Sequence, residues 1–214
     1  MRGVALLSER CVKYALLVDG AFACKRLYRA LGNRHPAAHD VIAACQRIRS
    51  HPALKDGELL RIHYYDAPPA AGRLTNPVSG KALNLGQSAT FARMTSIHET
   101  LDLSSDFALR RGEVVARGWR LKDSALRQVV MSRRAIRPND VRPDLRQKGV
   151  DLRMGLDIAR LSLRRLVDVI VVVTGDSDLV PAFRFARREG IRVYLDHLGA
   201  PVMRDLKAHT DLVL

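Results

Sequence analysis

Long hydrophobic runs are missing from this sequence. No window approaches the ~20 consecutive apolar residues of a membrane-spanning helix. The start, Met1 to Ser8, has only a short apolar stretch before Glu9 and Arg10, without the core of a secretory signal. Cysteine is scarce too. Cys11, Cys24 and Cys45 are odd in number and show no CxxC or Cys/His ligand spacing, which excludes a disulfide framework and a zinc knuckle and points to buried, reduced thiols. Glycine is absent where a phosphate loop needs it: Gly80-Lys81 runs into Ala82 with no glycine five residues upstream, and no GxGxxG follows the first strand. Aromatics make up only 5%, too few for an extended base-stacking platform. These absences describe a soluble, cytoplasmic protein that is neither a nucleoside-triphosphate nor a dinucleotide enzyme.

Positive charge is what the chain has in excess. Lys plus Arg number 36 against 22 Asp plus Glu, a net charge of +14 over 214 residues. A polyanionic partner is the first inference, and the surplus of arginine suits bidentate phosphate contacts. The length fits one α/β domain, 1–214, with a proper core.

The apolar pattern supplies the α/β rhythm. Tyr14 to Val18 and Asp168 to Thr174 read as buried strands, Leu59 to Tyr65 and Ile191 to Leu195 as two more. Helices are expected over Ala21 to Leu31, Asp40 to Ser50, Ser88 to Leu101, Asp151 to Leu166 and Leu179 to Arg188, the fourth with Leu152, Leu156, Ala159 and Leu163 on one face. Strands separated by helices imply a parallel sheet. Ala70 to Gly86 reads as a mobile loop. An insert of about 106–147 holds the densest basic charge; Phe107 to Leu121 alternates around Arg111-Gly112-Glu113 like a hairpin, and Ala125 to Met131 reads as a further strand. The apolar stretch Val129 to Ile136 would be a sheet edge on which a homo-oligomer could pair.

Four aspartates mark element ends: Asp19 closes the first strand, Asp151 opens a helix, and Asp176 and Asp178 follow Val169 to Gly175. If the first and the Val-rich strands are parallel neighbours, their carboxyl ends share the edge where open α/β folds bind ligands. Carboxylates gathered there repel one another unless a cation joins them, so a divalent metal site is the economical reading. A lone pair such as Asp176 and Asp178 would otherwise be a helix cap and a solvated carboxylate, with Asp178 the expected cap. Asp157, six residues beyond Asp151, turns to another face and is expected to be solvated or salt-bridged.

At these residues the chain resembles a known family. Leu16-Leu17-Val18-Asp19-Gly20-Ala21, Lys148-Gly149-Val150-Asp151 and Thr174-Gly175-Asp176-Ser177-Asp178 look like the signatures of the NYN domain, a branch of the PIN-like nucleases, and most closely its bacterial LabA-like subgroup. The resemblance implies a three-layer α/β/α fold whose acidic residues hold Mg²⁺ or Mn²⁺ and hydrolyse phosphodiester bonds, usually in RNA. Carried over by position, Asp19, Asp151, Asp176 and Asp178 are the metal and catalytic set. The family usually has Asn three residues after its first Asp; here Phe22 stands there, which packs or stacks where Asn would orient a carboxylate, water or phosphate.

Mg²⁺ suits such a site because it takes hard oxygens, keeps several waters and needs one or two direct carboxylates. Thr174 and Ser177 are expected to support the ligands. Lys148, Arg110, Arg117, Arg120, Arg133, Arg134 and Arg137 are the candidate phosphate contacts. Phe22, Tyr65 and Trp119 are either base contacts or core residues. A haloacid-dehalogenase-like phosphatase fits poorly, since it wants a second acid where Ala21 stands and another where Val180 stands. The leading expectation is a metal-dependent ribonuclease; the alternative is a non-catalytic nucleic-acid-binding regulatory module on the same fold.

Overall fold

A computed structural model describes residues 11–214; the reading of Met1 to Ser8 lies outside the described residues. The chain opens with β1 (Lys13–Asp19), α1 (Gly20–Ala30), α2 (Ala38–Arg49) and β2 (Glu58–Asp66). The stretch expected to be a mobile loop contains β3 (Arg73–Thr75) and β4 (Ala82–Asn84), a small antiparallel pair. Its turn is held by Asn76 Oδ1, which accepts from the backbone N–H groups of Val78 and Ser79, a local closure that composition alone does not reveal. Then come α3 (Ala89–Asp102), capped by the Ser88 hydroxyl accepting from Phe91 N–H, and β5 (Phe107–Arg111).

The basic insert continues as β6 (Glu113–Leu121), α4 (Asp123–Ser132) and β7 (Val141–Lys148). The chain ends with α5 (Val150–Leu163), β8 (Val169–Val173), α6 (Val180–Arg188), β9 (Arg192–Asp196), α7 (Arg204–Ala208) and β10 (Leu212–Val213).

The central sheet has six strands in the order β10-β9-β8-β1-β2-β5, and every pairing is parallel. Buried on both faces, its middle strands can be continuous apolar runs: Val169 to Val173 are all at most 2% exposed. Alternate residues of β1 serve opposite layers. Leu16 and Val18 pack with Val41, Ile48 and Ile97 under α1, α2 and α3, while Ala15 and Leu17 pack with Met154, Ile158 and Phe183 under α5 and α6. This is the three-layer arrangement expected of a PIN-like fold.

Four further expectations are corrected. Residues 111–113 do not turn a hairpin: β5 is the edge strand of the main sheet, and β6 leaves that sheet to pair antiparallel with β7. Gly112 makes the departure possible, since a Cβ there would sit 2.7 Å from both Lys148 O and Val150 Cγ2. Ala125 to Met131 belongs to α4, started by Lys122 O accepting from Ala125 and Leu126 N–H. With α4 ending at Arg133 in the left-handed region (φ 47), Val129 to Ile136 offers no strand edge for pairing.

The fourth correction concerns α5. Val150, Met154, Ile158 and Leu161 are the apolar residues buried under it, and the expected apolar face points outward, with Leu152 67%, Leu156 60% and Leu163 63% exposed. No helix among the described residues is long and apolar enough to cross a membrane.

Candidate metal centre and nucleic-acid surface

Strand order reverses at β1, which pairs with β2 on one side and with β8 on the other, so a crevice opens beyond the carboxyl ends of β1 and β8. Val18 faces Val173 across that junction, which carries Asp19 and the Thr174 to Asp178 turn to one edge. Asp19 is also the N-cap of α1, accepting from Phe22 N–H at 3.0 Å. Asp176 caps the 3-10 turn Ser177–Leu179 by accepting from Asp178 N–H at 2.9 Å, so it takes the capping role expected of Asp178, which stays exposed. Thr174, fully buried, accepts from Asp176 N–H at 3.1 Å and thereby fixes the turn; Ser177 opens the 3-10 turn and is half-buried.

Asp151 reaches the same edge from the first turn of α5, behind Gly149 in the left-handed region (φ 73). The carboxylates feel one another. Burial, and then the charges of Asp151, Asp66 and Asp176, push the Asp19 carboxyl up to about 6 against the hydrogen bond from Phe22. Asp151 is pushed up by burial and by Asp176 and Asp178. In this side-chain arrangement no group of three or more His, Cys, Asp or Glu among the described residues stands close enough to hold a metal ion. The donors are nevertheless all hard oxygens, and Asp19 and Asp176 each spend only one oxygen on a cap. Such a set suits a water-rich Mg²⁺ or Mn²⁺ ion with one or two direct carboxylates, and not an all-protein cage.

Asp66 is the residue sequence reasoning missed. It ends β2, one position beyond the Asp19 to Tyr65 pairing, and is 3% exposed. Its Oδ1 accepts from Ala67 N–H and Gln147 Nε2, both at 2.8 Å, and its Oδ2 lies 3.0 Å from His98 Nε2. The available signal was position: an acid at the end of the strand beside β1. Asp157 is salt-bridged as expected, with Arg110 Nε at 3.0 Å and the Tyr65 hydroxyl donating at 2.8 Å. Tyr65 is thus a core residue.

Phe22 packs against the Asp176 turn. A Cβ on Gly175 would fall 2.5 Å from the Phe22 ring, so the ring and the missing side chain are fitted to each other. The position where the family places Asn serves here as a wedge behind the turn.

The basic candidates divide by what they touch. Arg110 is engaged by Asp157, and Arg134 holds Asp140 with two nitrogens, at 2.6 and 3.0 Å, keeping that carboxyl down at about 2. Arg120 stands 4.0 Å from Asp144. Arg117, Arg133, Arg137 and Lys148 have exposed side chains, and Lys148 ends the ribbon three residues before Asp151. Trp119 is half-buried on β6.

Across 97% of this chain and 94% of the other, the fold matches the crystal structure of a protein of unknown function from Vibrio parahaemolyticus, with a TM-score of 0.55 at 13% identity, a likeness of fold alone. No curated protein matches the sequence. The NYN domain family matches residues 102–208, half of the chain, a segment that holds Asp151, Asp176 and Asp178 and leaves Asp19 upstream. NYN domains are generally nucleases, which implies a nucleic-acid substrate. By that match, the chain belongs to the NYN domain family of the PIN-like nuclease superfamily.

Proposed function

We propose that this protein is a metal-dependent ribonuclease, a single domain over 1–214 acting in the cytoplasm. The observation that carries the reading is the gathering of Asp19, Asp151 and Asp176 at one sheet edge, where burial first and then the neighbouring acids push the Asp19 carboxyl up to about 6, an arrangement that a divalent cation would relieve. Asp19 and Asp176 are the direct ligands in this reading, with Asp151 and Asp178 direct or through water. Bound there, Mg²⁺ or Mn²⁺ would lower the pKa of a water and neutralise charge on the leaving oxygen. The chain's own part is to hold ligands and strand in place. Thr174 and the Asp176 cap fix the turn, Gly149 lets α5 start with Asp151 facing the edge, and the exposed Lys148, Arg117, Arg133 and Arg137 bind backbone phosphates.

Cleavage of labelled single-stranded and structured RNA, with matched DNA, in Mg²⁺ or Mn²⁺ and in EDTA tests this. Products are expected with metal only, and none from Asp176→Asn despite a native fold and retained binding. Unchanged turnover in that variant would sink the assignment. Phe22 supports the second reading, a non-catalytic RNA-binding regulator, because its ring is wedged against Gly175 where the family's Asn would offer a polar group. Binding with steep salt dependence and no products at any metal concentration would select it.

A further inference from the structure

Beside the carboxylate edge lies a cavity of about 510 Å³ between the start of α1, the start of α3 and the β6–β7 ribbon. Its walls are mainly apolar, from Cys24, Leu85, Phe91, Met94, Val114 and Leu145. Two side chains give it a polar end. Asp66, buried, lines it; among the described residues its Oδ1 accepts from Ala67 and Gln147 and its Oδ2 meets His98, which leaves the carboxylate with unused acceptor capacity. Gln147 donates its Nε2 to Asp66, which leaves its Oε1 as an acceptor. Ser88, also on the wall, already donates to Leu85 O at 2.7 Å. The polar end therefore asks its occupant for N–H donors, while an anionic group would meet the Asp66 charge.

A flat molecule with apolar faces and an exocyclic amino group on its edge answers that description. A lone ring N–H between two carbonyl oxygens, as in uracil, would instead turn those oxygens towards the acceptors. The cavity also adjoins the edge directly. Asp66 lines it and at the same time pushes Asp19 up, and Ala21, two residues beyond Asp19, forms part of its wall. We propose that this cavity receives one unstacked base carrying an exocyclic amino group, adenine, guanine or cytosine and not uracil, from a strand whose backbone follows the carboxylate edge. The inference rests on the nuclease reading for the position of the strand. Single-stranded RNA is commonly read this way, with a splayed base against an aromatic ring and hydrogen bonds to its edge. Phe91 supplies the ring, Asp66 and Gln147 the acceptors.

The experiment separates this proposal from the nuclease reading. Asp176→Asn protein in Mg²⁺ is titrated with fluorescent single-stranded oligomers made of uridine throughout, or with one internal residue replaced by adenosine, guanosine, cytidine or an abasic ribose. At least one amino-bearing base is expected to tighten binding about tenfold over the all-uridine and abasic oligomers. Thr90→Trp and Ala70→Trp, on two separate segments of the rim, fill the space; either is expected to erase the preference and leave all-uridine affinity within about twofold. Equal affinity for all five oligomers, or a preference that survives in a folded filled variant, overturns the proposal. Wild-type cleavage of all five oligomers is scored in parallel. Cleavage without base preference removes the cavity and keeps the nuclease, whereas preference without cleavage does the reverse.

Discussion

Asp19 meets two opposed demands. Its carboxylate caps α1 through Phe22 N–H, yet burial and the charges of Asp151, Asp66 and Asp176 resist its ionisation and raise it from 3.8 to about 6. A carboxyl that binds its proton more tightly when folded favours the native state below pH 4, and that contribution is lost as pH rises through about 6. His63, buried and pushed down from 6.5 to about 4 by burial and then by Arg110, runs the other way: its contribution is present above 6.5 and lost as pH falls through about 4. The two largely offset each other in the wild type. Asp19→Asn keeps an oxygen for the cap and removes the charge, so it should be more stable than wild type at pH 8 by roughly 1–3 kcal/mol, after allowing for screening. The advantage should vanish at pH 4 and shrink at pH 8 when Mg²⁺ is added; denaturant midpoints measure it, and equal midpoints at pH 8 without metal would contradict the electrostatic account. The four aspartates could be singled out from the sequence because each stands at the end or the start of an element. Asp66 stands in the same kind of place, but its relevance depends on β2 lying beside β1, which no local pattern states.

Elements differ in how fully their role is written in their own residues. β8 could be read directly, since Val169 to Val173 is apolar throughout and tolerates no exposed face. α5 misleads because it has apolar residues on two faces, and periodicity identifies a helix without saying which stripe meets the sheet. The consequence is measurable. Ile158→Ala should cost about 2–5 kcal/mol by opening space beneath the helix, whereas Leu156→Gln and Leu163→Gln, on the exposed stripe, should each stay within about 0.5 kcal/mol. Urea unfolding of the three variants decides it, and a large loss at Leu156 would mean that the outward stripe is covered. The ribbon was misread for a related reason: alternation around Arg111-Gly112-Glu113 marks extended chain but not its partner, and Gly112 sends the chain from one sheet to another at the point where a hairpin was expected to reverse it.

For the molecule as a whole, the +14 charge sets association before any single contact does. If Arg117, Arg133, Arg137 and Lys148 each neutralise a phosphate, changing any one to Gln should lower the slope of log K against log salt for single-stranded RNA by about 0.7. Arg134, occupied by Asp140, should leave the slope nearly unchanged and reduce stability instead. Fluorescence titrations across a salt series measure both, and a full phosphate's worth of slope lost at Arg134 would reverse the division. The pairing of β1 with β8 has a further consequence, in time and not in space. Among the described strands β1 is made first, but its partner on one side, Tyr14 against Val169, lies far along the chain and is made only after β2 to β7. Contacts so distant in sequence close slowly. Until β8 emerges, a nascent chain holds Asp19 without Asp176 and Asp178, so the carboxylate edge is withheld until that strand has been made.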